Sequence, residues 1–169
     1  MATPDLEKLA RQDGPVELER DETPAERVDR NFNELLGELR VALPGVQVLF
    51  AFLLTVPFAQ GFTSLSGFER GTYFAVLLLT AIASALLIAP TAYHRIQFRK
   101  GRKVQILFFA NRAAVVGLGF LALAMSGAIL LITHFLFGPA AAIPIGIAAL
   151  LLFGTLWYVL PWAQVRGID

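Results

Sequence analysis

The sequence predicts an all-α integral membrane protein, a bundle of four transmembrane helices preceded by a cytoplasmic amphipathic helix. Two observations predict this class. Of the 169 residues, 56% are hydrophobic and 16% are charged, whereas a soluble domain carries about a quarter charged residues. The chain also contains three long apolar stretches without any acidic or basic residue, and each is long enough to cross a bilayer as a helix.

The chain begins with a polar and strongly charged segment. Residues 1–22 have few large apolar side chains and are interrupted by Pro4, Gly14 and Pro15. Such composition is typical of disorder, so we predict a disordered acidic cytoplasmic tail. The segment has no apolar core of the kind that a signal peptide requires. Residues 1–40, which we call the head, hold eleven acidic and six basic side chains and therefore have a net charge of −5.

An amphipathic interfacial helix is predicted over residues 23–43. Thr23 and Glu26 have the spacing of a capping box, and Pro24 suits the first helical position. Apolar residues then recur at helical spacing, namely Val28, Phe32, Leu35, Leu36, Leu39 and Leu43. We expect their face to lie along the inner membrane surface or against the bundle, and we expect the helix to break at Pro44-Gly45.

Four apolar segments follow and define a transmembrane domain over residues 44–162. They are VQVLFAFLLTVPFAQGF (46–62), TYFAVLLLTAIASALLIAPTAY (72–93), AAVVGLGFLALAMSGAILLITHFLF (113–137) and AAAIPIGIAALLLFGTLWYVLPW (140–162). A helix of about 20 residues spans the hydrocarbon core, so the first segment is adequate and the others are ample. Residues 163–169 are predicted to form a short cytoplasmic tail.

Positive charge predicts the orientation of the four spans. The head, the loop at 94–112 and the C-terminal tail would lie on one side, and the connections at 63–71 and 138–139 on the other. The first side holds thirteen of the fourteen Lys and Arg residues, and the second holds only Arg70. Because cationic loops stay in the cytoplasm, we predict a multi-pass protein of the bacterial plasma membrane with both termini cytoplasmic.

The basic stretch AYHRIQFRKGRK (92–103) is first of all a signal of topology. Clusters of Lys and Arg beside a membrane span also attract anionic headgroups. Its side chains are therefore candidate contacts for anionic lipid or for a protein partner, namely Arg95, Arg99, Lys100, Arg102 and Lys103. Nucleic-acid binding is not predicted, because the loop is short and lies against the bilayer surface.

No catalytic, cofactor or metal site is predicted. The chain has no cysteine, and it lacks the nucleophile-elbow, zinc-protease and P-loop patterns. The four spans contain no Asp or Glu, whereas coupled transport usually needs ionisable groups within the membrane. His94 and His134 are predicted near opposite membrane faces, about 30 Å apart, so they cannot bind one metal or haem within a monomer.

Polar and small residues in the spans are predicted to serve helix packing. The polar candidates for hydrogen bonds between helices are Gln47, Thr55, Gln60, Thr80, Ser84, Thr91, Ser126, Thr133, His134 and Thr155. Small residues four positions apart let helix backbones approach closely. They are the ladder Ala81, Ala85 and Ala89, and the pairs Ala113 with Gly117, Ala122 with Ser126, and Ala142 with Gly146.

Two blocks of sequence carry a resemblance to a known family. ELRVALPGVQVLFAFLLTVPF (38–58), followed by FERG (68–71), and LLIAPTAYHRIQFRKGRK (86–103) resemble a family of small actinobacterial membrane proteins catalogued as domain of unknown function 6328. The likeness extends from about Glu26 to Pro161. It implies the four-span layout and brings no established activity or site. Some members are labelled sodium:proton antiporters, and no intramembrane carboxylate supports that label in this chain.

The predicted function is that of a non-enzymatic membrane component, an accessory or scaffold subunit of a membrane assembly. Its expected partners are membrane lipids and either further copies of itself or a larger membrane complex. The alternative is a small transporter or channel, which would be oligomeric because four helices alone rarely enclose a pore. A membrane enzyme ranks third. A continuous polar stripe along the bundle would favour transport, whereas isolated polar residues buried between helices would favour the scaffold.

Overall fold

Five α-helices make up most of the described part of the chain. The computed structural model describes residues 23–97 and 103–166. The helices are α1 (Pro24–Thr55), α2 (Gly67–Gln97), α3 (Lys103–Phe137), α4 (Pro139–Gly154) and α5 (Leu160–Arg166). The tail predicted at 1–22 lies outside the described residues, and so do Arg99, Lys100, Arg102 and residues 167–169.

Short connections make α1 antiparallel to α2, and α3 antiparallel to α4. Two 3-10 turns, Val56–Phe58 and Phe62–Ser64, lead from α1 to α2. Gly138 alone separates α3 from α4, and its φ of 79° is a left-handed conformation that favours glycine. We call the end that carries these two connections the distal end. The opposite end, where α1 and α3 begin and α2 and α5 finish, is the proximal end.

Four helical stretches among the described residues are long and apolar enough to cross a membrane. They are Glu26–Phe58, Gly67–Tyr93, Gln105–Phe137 and Pro139–Gln164. The four-span prediction and the all-α class are therefore confirmed. At about 1.5 Å per residue, the 32 residues of α1 and the 35 residues of α3 each extend well beyond a hydrocarbon core about 30 Å thick.

Helix α3 is the centre of the bundle. It packs extensively against α2 on one side and α4 on the other, and α1 packs against α2 and less extensively against α3. No comparable contact joins α4 to α1 or α2 within the described residues. Three apolar clusters follow the bundle axis, around Phe32 and Ile106 at the proximal end, Val46 and Leu87 in the middle, and Leu53 and Val76 at the distal end.

The predicted break at Pro44-Gly45 is wrong, and a separate amphipathic helix is not confirmed. Thr23 and Glu26 do form the predicted capping box, but α1 then runs through Pro44 to Thr55. Leu39 and Val46, on either side of the proline, are 5% and 1% exposed and pack into the same cluster. Shared burial on both sides outweighs the local cost of an interior proline, about 3 kcal/mol in a water-exposed helix.

The small-residue pairs lie in helix contacts, whereas the alanine ladder does not. Ala113, Ala122, Ser126 and Ala142 are all buried. A methyl group added at Gly117 would lie 3.0 Å from Leu87 Cγ, and one added at Gly146 would lie 2.9 Å from Leu130 Cδ1. The ladder on α2 is rotated out of the core, because Ala85 is exposed while Ala83 and Leu87 are buried.

The fourth span contains a π-helical turn, which is wider than an α-helical turn, near its proximal end. Thr155–Val159 form a π-helical turn between α4 and α5, closed by a bond from the Leu160 N–H to the Thr155 carbonyl. Pro161 explains the turn, since proline supplies no N–H to the carbonyl four residues earlier and its ring crowds that carbonyl. The widening turns the side chain of Tyr158 toward α3.

Candidate functional site

Hydroxyl groups buried in the spans form hydrogen bonds within their own helices. Each donates to the carbonyl four residues earlier, at 2.7–2.9 Å, in the pairs Thr80 with Val76, Ser84 with Thr80, Ser126 with Ala122, and Thr133 with Ile129. The interhelical bonds predicted for these four are therefore wrong. A back-bond to the same helix is always within reach of Ser and Thr, so it needs no partner helix.

The remaining polar candidates do not form a path through the bundle. Gln47, Thr91 and Thr155 are exposed on the helix surfaces, and Gln60 is exposed in the turn between the two 3-10 turns. The Thr55 hydroxyl donates to the Phe52 carbonyl at 2.7 Å. In the described ranges, no buried side-chain nitrogen or oxygen lacks a hydrogen-bond partner. The buried polar groups are thus satisfied and isolated from one another, and they do not form a continuous stripe.

Two tyrosines supply hydrogen bonds between helices. Tyr73 on α2 donates to the Leu53 carbonyl of α1, and Tyr158 donates to the Val115 carbonyl of α3, both at 2.6 Å. These bonds could not be predicted from the sequence, because a tyrosine near the end of a span is equally typical of the membrane interface. Gly119 leaves room for the Tyr158 hydroxyl, because a methyl group added at this glycine would lie 3.0 Å from the hydroxyl oxygen.

A carboxylate and an imidazole meet at the distal end. Glu69 Oε1 on α2 lies 3.4 Å from His134 Nδ1 on α3, and both side chains are largely shielded, at 13% and 22% exposed. Ser66 orients Glu69 through a capping box, in which the Ser66 N–H donates to the carboxylate at 2.8 Å. The Phe68 ring lies 5.0 Å from the imidazole. Of this group, sequence analysis singled out only His134.

The two histidines lie at opposite ends of the bundle, as predicted. His94 belongs to the last turn of α2 at the proximal end, and His134 to the last turn of α3 at the distal end. No group of three or more His, Cys, Asp or Glu residues that could hold a metal occurs in the described ranges. The pair of Glu69 and His134 therefore ties α2 to α3 and provides two potential ligands at most.

The basic stretch is only partly described. Arg95 lies in the last turn of α2 and is exposed at the proximal end, and Lys103 begins α3. These positions are compatible with contacts to headgroups or to a partner. The role of the five basic side chains stays a prediction.

Open cavities border the helices in the described part of the chain, among them the following three. The distal cavity measures 260 Å³, is lined almost wholly by apolar groups and lies between the 3-10 turns, α2 and the end of α3. A proximal cleft of 330 Å³ between α1 and α3 carries Asn31, Glu34, Glu38 and Asn111 beside apolar groups. A groove of 460 Å³ separates α1 from Trp157 across α3. The distal cavity and the groove are apolar, and the cleft is mixed.

The fold and its polar groups define a multi-pass α-helical membrane protein whose described core holds neither a metal cluster nor a polar pathway. The chain belongs to the family of unknown function DUF6328, whose model matches residues 21–161. This match extends slightly beyond the stretch in which the resemblance was predicted. No curated protein and no solved structure matches the chain.

Proposed function

We propose that this protein is a non-enzymatic accessory or scaffold subunit of a membrane assembly. The observation that carries the proposal is the state of the polar groups within the spans. Each buried Ser or Thr hydroxyl is bonded to its own helix, and the buried Tyr73 hydroxyl is bonded to a carbonyl of α1. The bundle therefore offers a solute no succession of free donors and acceptors. A transporter or channel needs such groups along its path.

The packing of α4 supports a role in assembly. Only 6% of the apolar stretch of the fourth span is buried within the bundle, against 28% for each of the second and third spans. Among the described helices, α4 packs extensively only against α3, and its residues Ile147 and Leu151 are more than half exposed. In the proposed assembly this face meets either another copy of the protein or a different membrane subunit.

The proposed location is the bacterial plasma membrane, with the proximal end and both termini in the cytoplasm. The support is the placement of charge. Helices α1 and α3 extend beyond the hydrocarbon at the proximal end, where Arg95 is exposed. Arg70 is the only Lys or Arg among the residues of the distal connections, 56–71 and 138–139. Cationic segments resist translocation across the membrane.

The test compares two matched pairs of substitutions in the tagged full-length protein. Ile147→Trp with Leu151→Trp enlarges the exposed face of α4, and Leu78→Trp with Ile82→Trp makes the same change on the exposed face of α2. All four changes remain compatible with lipid. After purification from the native host in mild detergent, native mass spectrometry should find a stoichiometric partner subunit or oligomer, lost in the α4 variant and kept in the α2 variant.

Equal melting temperatures of the two variants would show that both fold. The proposal fails if the wild-type protein is a monomer without a stoichiometric partner. It also fails if purified protein in liposomes conducts protons, sodium or another solute above the level of empty liposomes, since that result would identify the transporter or channel instead.

A further inference from the structure

We infer that the distal cavity binds one phospholipid, with part of an acyl chain inside the cavity and the phosphate on Arg70. The inference requires only that the chain spans the membrane, and it is independent of the proposed scaffold function. It concerns a site at the opposite end of the bundle from the basic stretch at 92–103.

The cavity has the chemistry and the size for a segment of hydrocarbon chain. Its lining includes Phe62 from the second 3-10 turn, Tyr73 from α2, and Leu131, Ile132 and Phe135 from α3. Its 260 Å³ exceeds the roughly 150 Å³ of an apolar protein cavity that holds benzene. The cavity is open to its surroundings, which are lipid at this depth, so an acyl chain can enter from the side without dehydrating any polar group.

The one polar side chain in the lining is already satisfied. The Tyr73 hydroxyl donates to the Leu53 carbonyl at 2.6 Å and is buried. The Phe62 ring packs edge-on against the Tyr73 ring, with centroids 5.3 Å apart. These two aromatic rings therefore form part of the wall, and the lining presents no free side-chain hydrogen-bonding group to the occupant. This favours hydrocarbon over a polar solute.

Arg70 provides the charge complementary to a phosphate at the same end of the bundle. It lies in the first turn of α2, is exposed, and donates from Nη2 to the Thr63 carbonyl at 3.1 Å. Thr63 follows the cavity residue Phe62, so this bond holds the guanidinium beside the turn that forms the cavity wall. Arginine has five N–H donors in a planar fork, which suits bidentate contact with phosphate.

The neighbouring carboxylate does not neutralise Arg70. Glu69 is directed to the Ser66 N–H and to His134, and Arg70 has no ion pair with any residue of the described ranges. The distal end thus presents Arg70 as a cation without an ion-pair partner in the described ranges, beside an apolar cavity at the depth of the headgroups. An anionic phosphate joined to an acyl chain satisfies both features at once.

Quenching of a tryptophan in the cavity by a brominated lipid tests the inference. Phe62→Trp places the reporter in the lining at a half-buried position, and Phe74→Trp places a control on the exposed face of α2 at the same end. Delipidated full-length protein in detergent is titrated with phosphatidylglycerol that carries bromine on its acyl chains. The signal of Trp157 and Trp162 is subtracted with the wild-type protein. The cavity reporter should be quenched at about one lipid per protein, and the surface reporter only in excess lipid.

Two further variants, each with its own control, separate the two parts of the site. Arg70→Gln should weaken the quenching of the cavity reporter by about three- to tenfold, as expected for a partly hydrated charge-assisted contact. Arg95→Gln removes an equal charge at the proximal end and should change nothing. Gly61→Leu should abolish binding, because Gly61 lines the cavity, has φ −81° and leaves open space for a side chain. Gly71→Leu also meets open space but lies outside the lining, and should bind normally.

Circular dichroism and gel filtration confirm that each variant is folded. The inference is overturned if the cavity reporter is quenched no earlier than the surface reporter. It is equally overturned if either Arg70→Gln or Gly61→Leu binds as the parent protein does. Native mass spectrometry that finds a neutral lipid or a protein segment at this site, in place of a phospholipid, would overturn it as well.

Discussion

Replacing Gly146 by alanine should separate α4 from α3. The new methyl group would lie 2.9 Å from Leu130 Cδ1 and 3.0 Å from Leu130 Cβ, whereas carbon atoms in contact prefer about 3.5–4.0 Å. Leu130 Cδ1 can move by a change of rotamer. Leu130 Cβ is fixed to its backbone, so relief requires the two helices to move apart by about 0.5 Å.

The expected magnitude follows from two opposing terms. Overpacking of this kind costs about 1–3 kcal/mol, and alanine is favoured over glycine in a helix by up to about 1 kcal/mol. Gly154→Ala is the matched control, because it lies at the end of the same helix and its methyl group would meet nothing within 4 Å. Subtracting the two variants removes the propensity term. Gly146→Ala should therefore be less stable than Gly154→Ala by about 1–3 kcal/mol.

The free energy of unfolding is measured by titrating SDS into protein in mild detergent and recording helicity. Adding Leu130→Ala to the Gly146 variant removes Leu130 Cδ1 and Cγ but keeps Cβ. The double variant should therefore recover part of the loss, with a coupling of at least about 0.5 kcal/mol. If Gly146→Ala is as stable as Gly154→Ala, close contact at this glycine does not stabilise the α3–α4 pair, and the reasoning is refuted.

Three other predictions concern different links in the structure. Tyr158→Phe removes the bond to the Val115 carbonyl and should lower the free energy of unfolding by about 0.5–1.5 kcal/mol; an unchanged value would mean that the bond contributes nothing. Phe32→Ala should cost about 3 kcal/mol, since Phe32 is 6% exposed against Ile106 and Ala110. Val41→Ala, at an 82% exposed site of the same helix, is its control, and equal losses would refute the packing argument. A periplasm-dependent reporter should be inactive when fused after residue 169 and active when inserted at Gly138, and the reverse pattern would show the opposite orientation.

The four spans could be predicted from the sequence because their signal is additive. The free energy of transfer from water to the membrane is a sum over about 20 residues in each apolar stretch. A single proline or glycine hardly changes that sum. The end of the first helix could not be located in this way. Pro44-Gly45 is a strong local signal, but its effect depends on what the residues on both sides touch. Leu39 and Val46 share one cluster with Leu87, and this contact exists only once the chain has folded.

The buried face of each helix was harder to predict from the sequence than the length of the helix. A spacing of four residues identifies a stripe of small side chains on a helix. It does not show whether that stripe faces a neighbouring helix. On α2 the buried face carries Val76 and Leu87, which fit against Gly127 and Gly117 of α3. Large side chains on one helix thus pack where the other helix lacks them. Ala85, at the centre of the ladder Ala81, Ala85 and Ala89, is exposed, so the regular spacing of these alanines was misleading.

The contact between Glu69 and His134 shows what the candidate site required beyond sequence. The pattern Ser66-x-x-Glu69 locates the start of a helix, and that start places Glu69 at the distal end. His134 reaches the same end because α3 is long and antiparallel to α2. Whether the two side chains face each other depends on the rotation of each helix about its axis, which the apolar surface of a membrane span specifies weakly. The contacts at Gly117 and Gly127 fix that rotation. The glycines of α3 therefore determine which polar groups meet at the distal end, although they lie within the apolar span.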